Sequence, residues 1–259
     1  MGSPELRGIG PVLFLRLPIN ERGRDFVVGD IHGYFDLFDE LLEQVRFDPR
    51  VDRMISVGDC IDRGPFSERV TEFLGLPWFF CLRGNHEDLL LDTVDHEPGA
   101  YETWMRNGGI WSEHVHETVL LELVEHYRRL PWACEVSTRH GKVGVVHANP
   151  PGDMSWPEFV IKLERDRLSR TELKSLAWSR ERFKMLQRAQ LKPGSVRAES
   201  VEGVHRVYVG HSIVREPSVC GNVVFIDTGV YNGGRLSMVD IGNEHVYSVE
   251  APAPANLDW

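Results

Sequence analysis

Cross-linking residues are scarce in this 259-residue chain: its four cysteines, Cys60, Cys81, Cys134 and Cys220, are scattered, with no C-x-x-C pair and no regular spacing. That excludes a disulfide framework and a zinc-finger cluster, and it fits reduced thiols in a cytoplasmic protein. Long apolar runs are missing too, and nothing approaches the roughly 20 residues of a membrane span. The one candidate leader, 11–19, is short, is interrupted by Arg16 and is followed by no small-residue cleavage site, so it is not read as a signal peptide. Positive charge is in deficit, with 29 Lys and Arg against 39 Asp and Glu and a formal net charge of −10. A non-specific nucleic-acid binder needs the opposite balance to displace counterions, so neither nucleic acid nor membrane is expected as a partner. Low-complexity runs, linkers and internal repeats are also lacking. With 42% hydrophobic residues and this length, the chain is expected to be soluble and to bury a full-sized core.

Against these shortages, three short blocks stand out: GDIHG at 29–33, GDCIDRG at 58–64 and RGNHE at 83–87. Each follows a brief apolar run. Strand, polar turn and helix in repeated succession is the pattern of parallel βαβ units, in which ligands gather outside the carboxyl ends of the strands. Residues 1–10 read as a loose tail. Segments 12–17 and 25–28 read as strands joined by a polar turn at 20–24, a hairpin over 12–28 that enters the first sheet. Leu37, Phe38, Leu41, Leu42 and Val45 share one helical face, opposite Asp36, Asp39, Glu40 and Glu43. A strand is expected at 54–57, a helix at 68–74, a strand at 78–82 and a helix beginning near Asp88. The stretch 101–129 is mostly helical and broken at Asn107-Gly108-Gly109. Paired strands at 133–136 and 142–146 end at His147, and helical stretches follow around 158–167 and 172–188. Strands at 206–209, 223–226, 236–241 and 245–249 give the carboxyl half the look of a meander, hence a second sheet packed on the first. One domain over 1–259 accommodates all of this.

The chemistry concentrates at the strand ends. Asp30 and His32 alternate across one residue, Asp59 takes the matching place in the second block, and Asn85 and His86 lie in the third. Two later histidines, His147 in VVHANP and His211 in VGHS, also close apolar runs. Carboxylates, an amide and imidazoles without thiolates suit manganese, iron or zinc. Six such ligands exceed the needs of one tetrahedral ion and suit two ions sharing a carboxylate, with Asp59 placed as the bridge. Two ions about 3.5–4 Å apart hold a water between them and lower its pKa from about 15.7 toward 7. Arg63 offers a planar fork to phosphate. His86, paired with Asp62, is placed to act as a general acid. A single Gly-Asp block would be an ordinary turn that caps a strand and starts a helix; three in series with two late histidines are not accounted for that way. The remaining histidines (His96, His114, His116, His126, His140, His205 and His245) read as structural or surface residues. Trp104, Trp111 and Trp178 read as packing anchors, with room for one to border a substrate groove.

Taken together, GDIHG, GDCIDRG, GNHE, the late VH, GHS at 210–212 and IDTG at 226–229 resemble the phosphoprotein phosphatase branch of the metallophosphoesterases. Within it, the likeness is to the small bacterial and phage-lambda-type serine/threonine phosphatases. It spans 26–230 and includes WFFCLRGNHE, Trp104 with NGGIW, WSRER at 178–182 and GHSIVREP. The resemblance implies a four-layer α/β/β/α sandwich of two mixed sheets. It implies one ion held by Asp30, His32 and Asp59, and a second by Asp59, Asn85, His147 and His211. His86 would be the acid and Asp62 its orienting carboxylate, while Arg63 and Arg180 would hold phosphate, with Arg182 the nearby competitor for the last role. The implied activity is removal of phosphate from phosphoserine and phosphothreonine in phosphoproteins, by in-line attack of a hydroxide bridging two metals, with manganese as the activating ion. The alternatives are a symmetrical diadenosine tetraphosphate hydrolase and, in another class, an inactive phosphoprotein-binding module. Departures from the pattern are Ser212 for threonine, Asn149 for aspartate or glycine, and Cys60 for an aliphatic residue, read here as a buried inert thiol.

Overall fold

The computed structural model describes residues 13–192 and 199–252, so the expected tail at 1–10 lies outside the described residues. The first described strand, β1 (Phe14–Leu17), runs parallel to β5 (Ala133–Thr138), while β2 (Asp25–Val28) lies in the other sheet between β3 (Arg53–Ser56) and β10 (Arg235–Asp240). The hairpin expected over 12–28 is therefore not formed. The physical reason is in the two strands themselves. All four residues of β2 are buried, which demands neighbours on both edges and cover on both faces. β1 exposes Arg16 and takes an edge. That arginine bonds Glu135 at 3.0 Å and Glu164 at 2.8 Å, anchoring the strand to the far sheet. The connection between them is a crossing loop, pinned by the Asn20 side chain donating to the carbonyl of Val51 at 2.8 Å.

Among the described residues the strands form two mixed sheets. One has the order β1-β5-β6-β7-β9-β8, with β6 at Gly141–Val146, β7 at Arg206–Val209, β8 at Ser218–Cys220 and β9 at Val223–Phe225. The other has the order β11-β10-β2-β3-β4, with β4 at Phe79–Cys81 and β11 at His245–Glu250. β2, β3 and β4 are parallel, as three successive βαβ-like blocks require. The carboxyl half is not a meander. β6, β7 and β9 are parallel, because three helices bring the chain back between β6 and β7 and the edge strand β8, antiparallel to β9, reverses it between β7 and β9; β10 with β11 completes the first sheet beside β2. β8, a three-residue edge strand, was not expected from the sequence.

Helices cover both outer faces. α1 (Phe35–Gln44), α2 (Asn85–Val94) and α4 (Glu117–Tyr127) contribute Phe38, Leu41, Leu89 and Leu123 to a core against Phe26, Met54 and Phe79. On the opposite side α5 (Trp156–Glu164), α6 (Arg170–Trp178) and α7 (Glu181–Leu191) contribute Trp156, Phe159, Leu176 and Leu186 against Val146, Val209 and Phe225. Between the sheets, Val27, Ile55 and Val57 meet Val145, Tyr208 and Ile226. The period-2 alternation of strands thus sends Phe26 to the helices and Val27 to the other sheet. Three apolar layers separating four structural ones give the α/β/β/α sandwich.

Local chemistry sets the element ends. Ser155 with Glu158 and Ser169 with Glu172 form reciprocal capping boxes at the starts of α5 and α6, each stabilising by about 1 kcal/mol. The segment expected as a helix at 68–74 is a 3-10 turn over Ser67–Glu72. The stretch 172–188 is not continuous: Ser179 adopts extended backbone (ψ 137°), which splits it into α6 and α7 with Arg180 at the break. A short helix α3 (Ala100–Arg106) and a 3-10 turn (Gly109–His114) flank the expected break at Asn107-Gly108-Gly109. No helix among the described residues is long and apolar enough to cross a membrane.

Candidate active site

β2, β3 and β4 end just before Asp30, Asp59 and Asn85, and β6 and β7 end just before His147 and His211. Parallel pairing within each sheet therefore delivers all five residues to one end of the sandwich. The turns that follow are tight. His32, Asp59, Asp62, Arg63 and His211 all have positive φ, from 45° to 72°, a region sparsely used by residues other than glycine. Such conformations cost of order 1–3 kcal/mol each and persist where surroundings over-determine them. Here Glu87 supplies much of that constraint. Its buried carboxylate accepts from the backbone N–H groups of Asp59 (2.9 Å), Cys60 (2.8 Å) and Gly84 (2.9 Å), tying the second block to the third.

The predicted ligands converge. Asp59 Oδ2 lies 3.2 Å from His147 Nε2, 3.8 Å from His86 Nε2 and 3.9 Å from His32 Nε2. Asn85 Oδ1 lies 3.0 Å from His147 Nε2 and 2.7 Å from His211 Nδ1. Asp30 Oδ2 lies 4.0 Å from His32 Nε2, and its oxygens accept from the backbone N–H of His211 at 3.0 and 3.1 Å. Two groups have the proximity needed to hold a metal ion: His32, Asp59 and His86, and Asp59, His147 and His211. Asp59 belongs to both. The first group contains His86 where Asp30 was expected; His86 differs from His32 and His147 in that its Nε2 lies 3.3 Å from the Arg63 guanidinium, whose charge disfavours a second cation there, and its Nδ1 is 2.6 Å from Asp62 Oδ2.

The donor set fits cations for a further reason. His147 Nδ1 is 3.0 Å from the carbonyl of Val57 and His32 Nδ1 is 2.9 Å from that of Ile61, so each Nδ1 carries a proton and each Nε2 faces the site as a lone pair. His147 Nε2 then faces Asn85 Oδ1 and Asp59 Oδ2, and His32 Nε2 faces Asp59 Oδ2, acceptor toward acceptor, an arrangement that calls for a proton or a bound cation. Electrostatics agree. Burial, followed by the charges of Asp227 and Asp59, pushes the Asp30 carboxyl well above its usual range. Burial likewise pushes Asp227 up to about 6. Burial opposes charge on His147, yet Asp59 outweighs it and raises the imidazole above its ordinary value. For His211, burial and then the neighbouring His147 push it down to about 3, which keeps the imidazole neutral.

Asp30, His32, Asp59, Asn85, His86 and His211 line a pocket of about 160 Å³ together with Arg63, Asn107, Trp178, Arg180, Asp227 and Tyr231. His147 is fully buried behind it. Arg63 Nη2 is 3.3 Å from His86 Nε2, and its guanidinium lies 4.1 Å over the Tyr231 ring. Arg180 reaches the pocket because the helix breaks beneath it, and its Nε donates to His211 Nε2 at 3.3 Å. Arg182, the competitor, is buried and turned away, with Nη1 bonded to the carbonyl of Glu199 and its backbone N–H donating to Asn149 Oδ1 at 3.0 Å. Asp227 and Tyr231 were not singled out from the sequence. Asp227 sits in IDTG, and that motif was the available signal; Tyr231 follows it in a glycine-flanked turn.

Backbone approach is as constrained as side-chain placement. A Cβ at Gly210 would fall on Asp30 Oδ1 and within 2.7 Å of Val57 Cγ2. Gly210→Ala is therefore expected to displace the Asp30 carboxylate, lower stability by about 1–3 kcal/mol and reduce bound metal, checked by thermal unfolding and elemental analysis of the same preparation.

Comparison with known proteins agrees with this geometry. The profile of the family described as calcineurin-like phosphoesterase matches residues 26–220. The chain is similar to serine/threonine-protein phosphatase 1 of Salmonella typhimurium (strain LT2), 33% identical over 222 residues, which takes in 83% of this chain and 91% of the relative. It is similar to serine/threonine-protein phosphatase 2 of Escherichia coli (strain K12), 32% identical over 219 residues, with 83% and 92% covered. A solved structure provisionally described as a diadenosine tetraphosphatase superposes with a TM-score of 0.66 at 23% identity, covering 93% of this chain and 99% of that one. At that identity the likeness shows the fold alone.

Proposed function

This chain belongs to the calcineurin-like phosphoesterase family, and from that premise we propose that it is a serine/threonine protein phosphatase, a metal-dependent phosphomonoesterase acting on phosphoproteins. The observation that carries the reading is the meeting of two metal-fitting groups at Asp59, beside a buried His86–Asp62 pair and two arginines. In this reading Asp30, His32 and Asp59 hold one divalent ion, and Asp59, Asn85, His147 and His211 hold the other. Manganese is our assignment, and iron and zinc suit the same donors. When bound, such ions supply an acidified water at neutral pH and neutralise phosphoryl oxygens.

The chain's own residues account for the remaining needs. Arg63 and Arg180 present guanidinium groups to the phosphate oxygens from two separate elements. His86, with Nδ1 held by Asp62, faces the pocket through Nε2 and gives its proton to the departing alkoxide. The pocket lining contains no serine, threonine or cysteine, so no phosphoenzyme is expected on such a residue. A cavity of about 160 Å³ accommodates a phosphoryl group with its ions, and is smaller than the roughly 300 Å³ at which drug-sized ligand sites begin, which favours a monoester over an enclosed dinucleotide. We take the chain as one domain, supported by a core shared between both sheets, and as cytoplasmic, supported by four free and buried cysteines.

The test is turnover of a phosphoserine peptide against diadenosine tetraphosphate, with manganese and with chelator. The peptide is expected to be hydrolysed at least about tenfold more efficiently, and chelation to abolish the rate. Preference for the dinucleotide would replace the substrate assignment. Binding of phosphopeptide without hydrolysis of it or of p-nitrophenyl phosphate would make the chain a binding module.

A further inference from the structure

Asp62 is fully buried, yet no lysine or arginine pairs with it among the described residues. Its oxygens accept instead from two indoles. Trp104 Nε1 is shared between Oδ1 (3.1 Å) and Oδ2 (3.0 Å), and Trp111 Nε1 donates to Oδ1 at 2.6 Å. His86 Nδ1 takes Oδ2 at 2.6 Å. We infer that Trp104 and Trp111 are positioning residues of the proton-transfer step, acting through Asp62 on His86. The inference rests on the phosphatase reading of the site and deepens it.

A carboxylate offers about four lone-pair directions. The indoles occupy those not used by His86, so the carboxylate has neither reason nor room to rotate away from the imidazole. An indole N–H is a donor only and keeps its proton. A guanidinium or ammonium in the same place would compete with His86 for the carboxylate by charge; the indoles hold it without competing. The result is an imidazole whose Nε2 is aimed into the pocket, 3.3 Å from Arg63 Nη2.

The turn that unites the two indoles is built for this purpose. Gly108 has φ 102°, and a Cβ at Gly109 would come within 2.8 Å of the Trp104 ring. The rings meet edge to face at 6.4 Å. The same turn braces the phosphate arginine, with the Gly108 carbonyl accepting from Arg63 N–H at 3.3 Å and Asn107 Oδ1 from Arg63 Nη2 at 3.4 Å. Packing alone does not require both N–H groups to meet one carboxylate, and phenylalanine would satisfy packing. Tryptophan to phenylalanine is therefore the discriminating change.

Trp111 is only half-buried, so Trp111→Phe is the variant of choice, with Trp104→Phe as its buried counterpart. The kcat of Trp111→Phe on a phosphoserine peptide is expected to fall about tenfold, with KM and bound metal unchanged, and its kcat on p-nitrophenyl phosphate to fall far less, because that leaving group needs little protonation. In an Asp62→Asn background the same substitution is expected to cost nothing further. The ring-proton NMR resonance of His86 Nδ1–H, assigned by its loss in His86→Asn, is expected to shift in Trp111→Phe. Equal losses on both substrates, additivity with Asp62→Asn, or an unmoved resonance would each overturn the inference. The resonance needs no turnover, so it tests the indole clamp even if the chain proves to prefer dinucleotides and the substrate assignment fails.

Discussion

Asp59→Asn is expected to reduce turnover of a phosphoserine peptide by about 10³-fold or more and to remove metal binding with it. The substitution keeps the volume of the side chain and an oxygen for the backbone N–H of His86, which Asp59 Oδ1 accepts at 2.9 Å. It removes the charge from the one side chain shared by both metal-fitting groups. It also brings an amide N–H₂ among imidazole nitrogens that face the site as acceptors, where a donor gives each of them a partner and the demand for a cation falls. The check is elemental analysis and kcat on one preparation whose circular dichroism matches the parent. Retention of both ions with full turnover would show that Asp59 is not the bridge. Retention of one ion with partial turnover would place the shared role elsewhere, Asp30 being the nearest carboxylate to His32 after it.

His86→Asn is expected to have the second-largest effect and a different signature. Asparagine has no proton to give at this pH, so hydrolysis of a phosphoserine peptide should slow by about 10²–10⁴-fold, the usual contribution of a positioned acid. With p-nitrophenyl phosphate, whose leaving group departs without help, the loss should be an order of magnitude or less. Bound metal should not change, because Asp30 rather than His86 completes the first ligand set in this assignment, and His86 Nε2 faces the Arg63 guanidinium at 3.3 Å. A parallel loss on both substrates, or loss of metal, would reassign His86 as a ligand of the first ion, as its proximity to His32 and Asp59 permits.

How much of this was legible before the fold was known depends on whether the signal was local. The three blocks were, because each is a strand followed by a turn rich in glycine and ligand residues, and parallel pairing then fixes where they point. Asp30, His32, Asp59, Asn85, His147 and His211 all meet as the spacing implied. Strand partners were not legible. β1 sits close to β2 in sequence, and adjacency suggested a hairpin, but β2 is buried on every side and its partners come from β3 and from β10 near the carboxyl end. The meander failed for the same reason: strands close in sequence were assigned to one another when helices or the opposite sheet intervened.

One miss concerns polar atoms on side chains read as apolar. Trp104 and Trp111 were taken as packing anchors, which they are, yet a buried indole N–H seeks an acceptor, and the turn between them leads both to Asp62. Arg180 was placed on the phosphate by the resemblance alone, since it lay within an apparently continuous helical pattern, where an arginine is by default a surface residue. The extended backbone of Ser179 breaks that helix and turns Arg180 into the pocket, while Arg182 two residues on is used to tie α7 to the segment at Glu199. Local propensity could not separate these two arginines; the position of the break does.

The central claim is that two divalent ions, shared through Asp59, make this chain a phosphoserine phosphatase. The most direct test is titration of the metal-stripped protein with manganese while phosphoserine peptide hydrolysis is followed. Activity is expected to be absent without metal and to rise to a plateau at about two equivalents per chain. Turnover by the stripped chain, a plateau at one equivalent, or two bound ions without hydrolysis would contradict it.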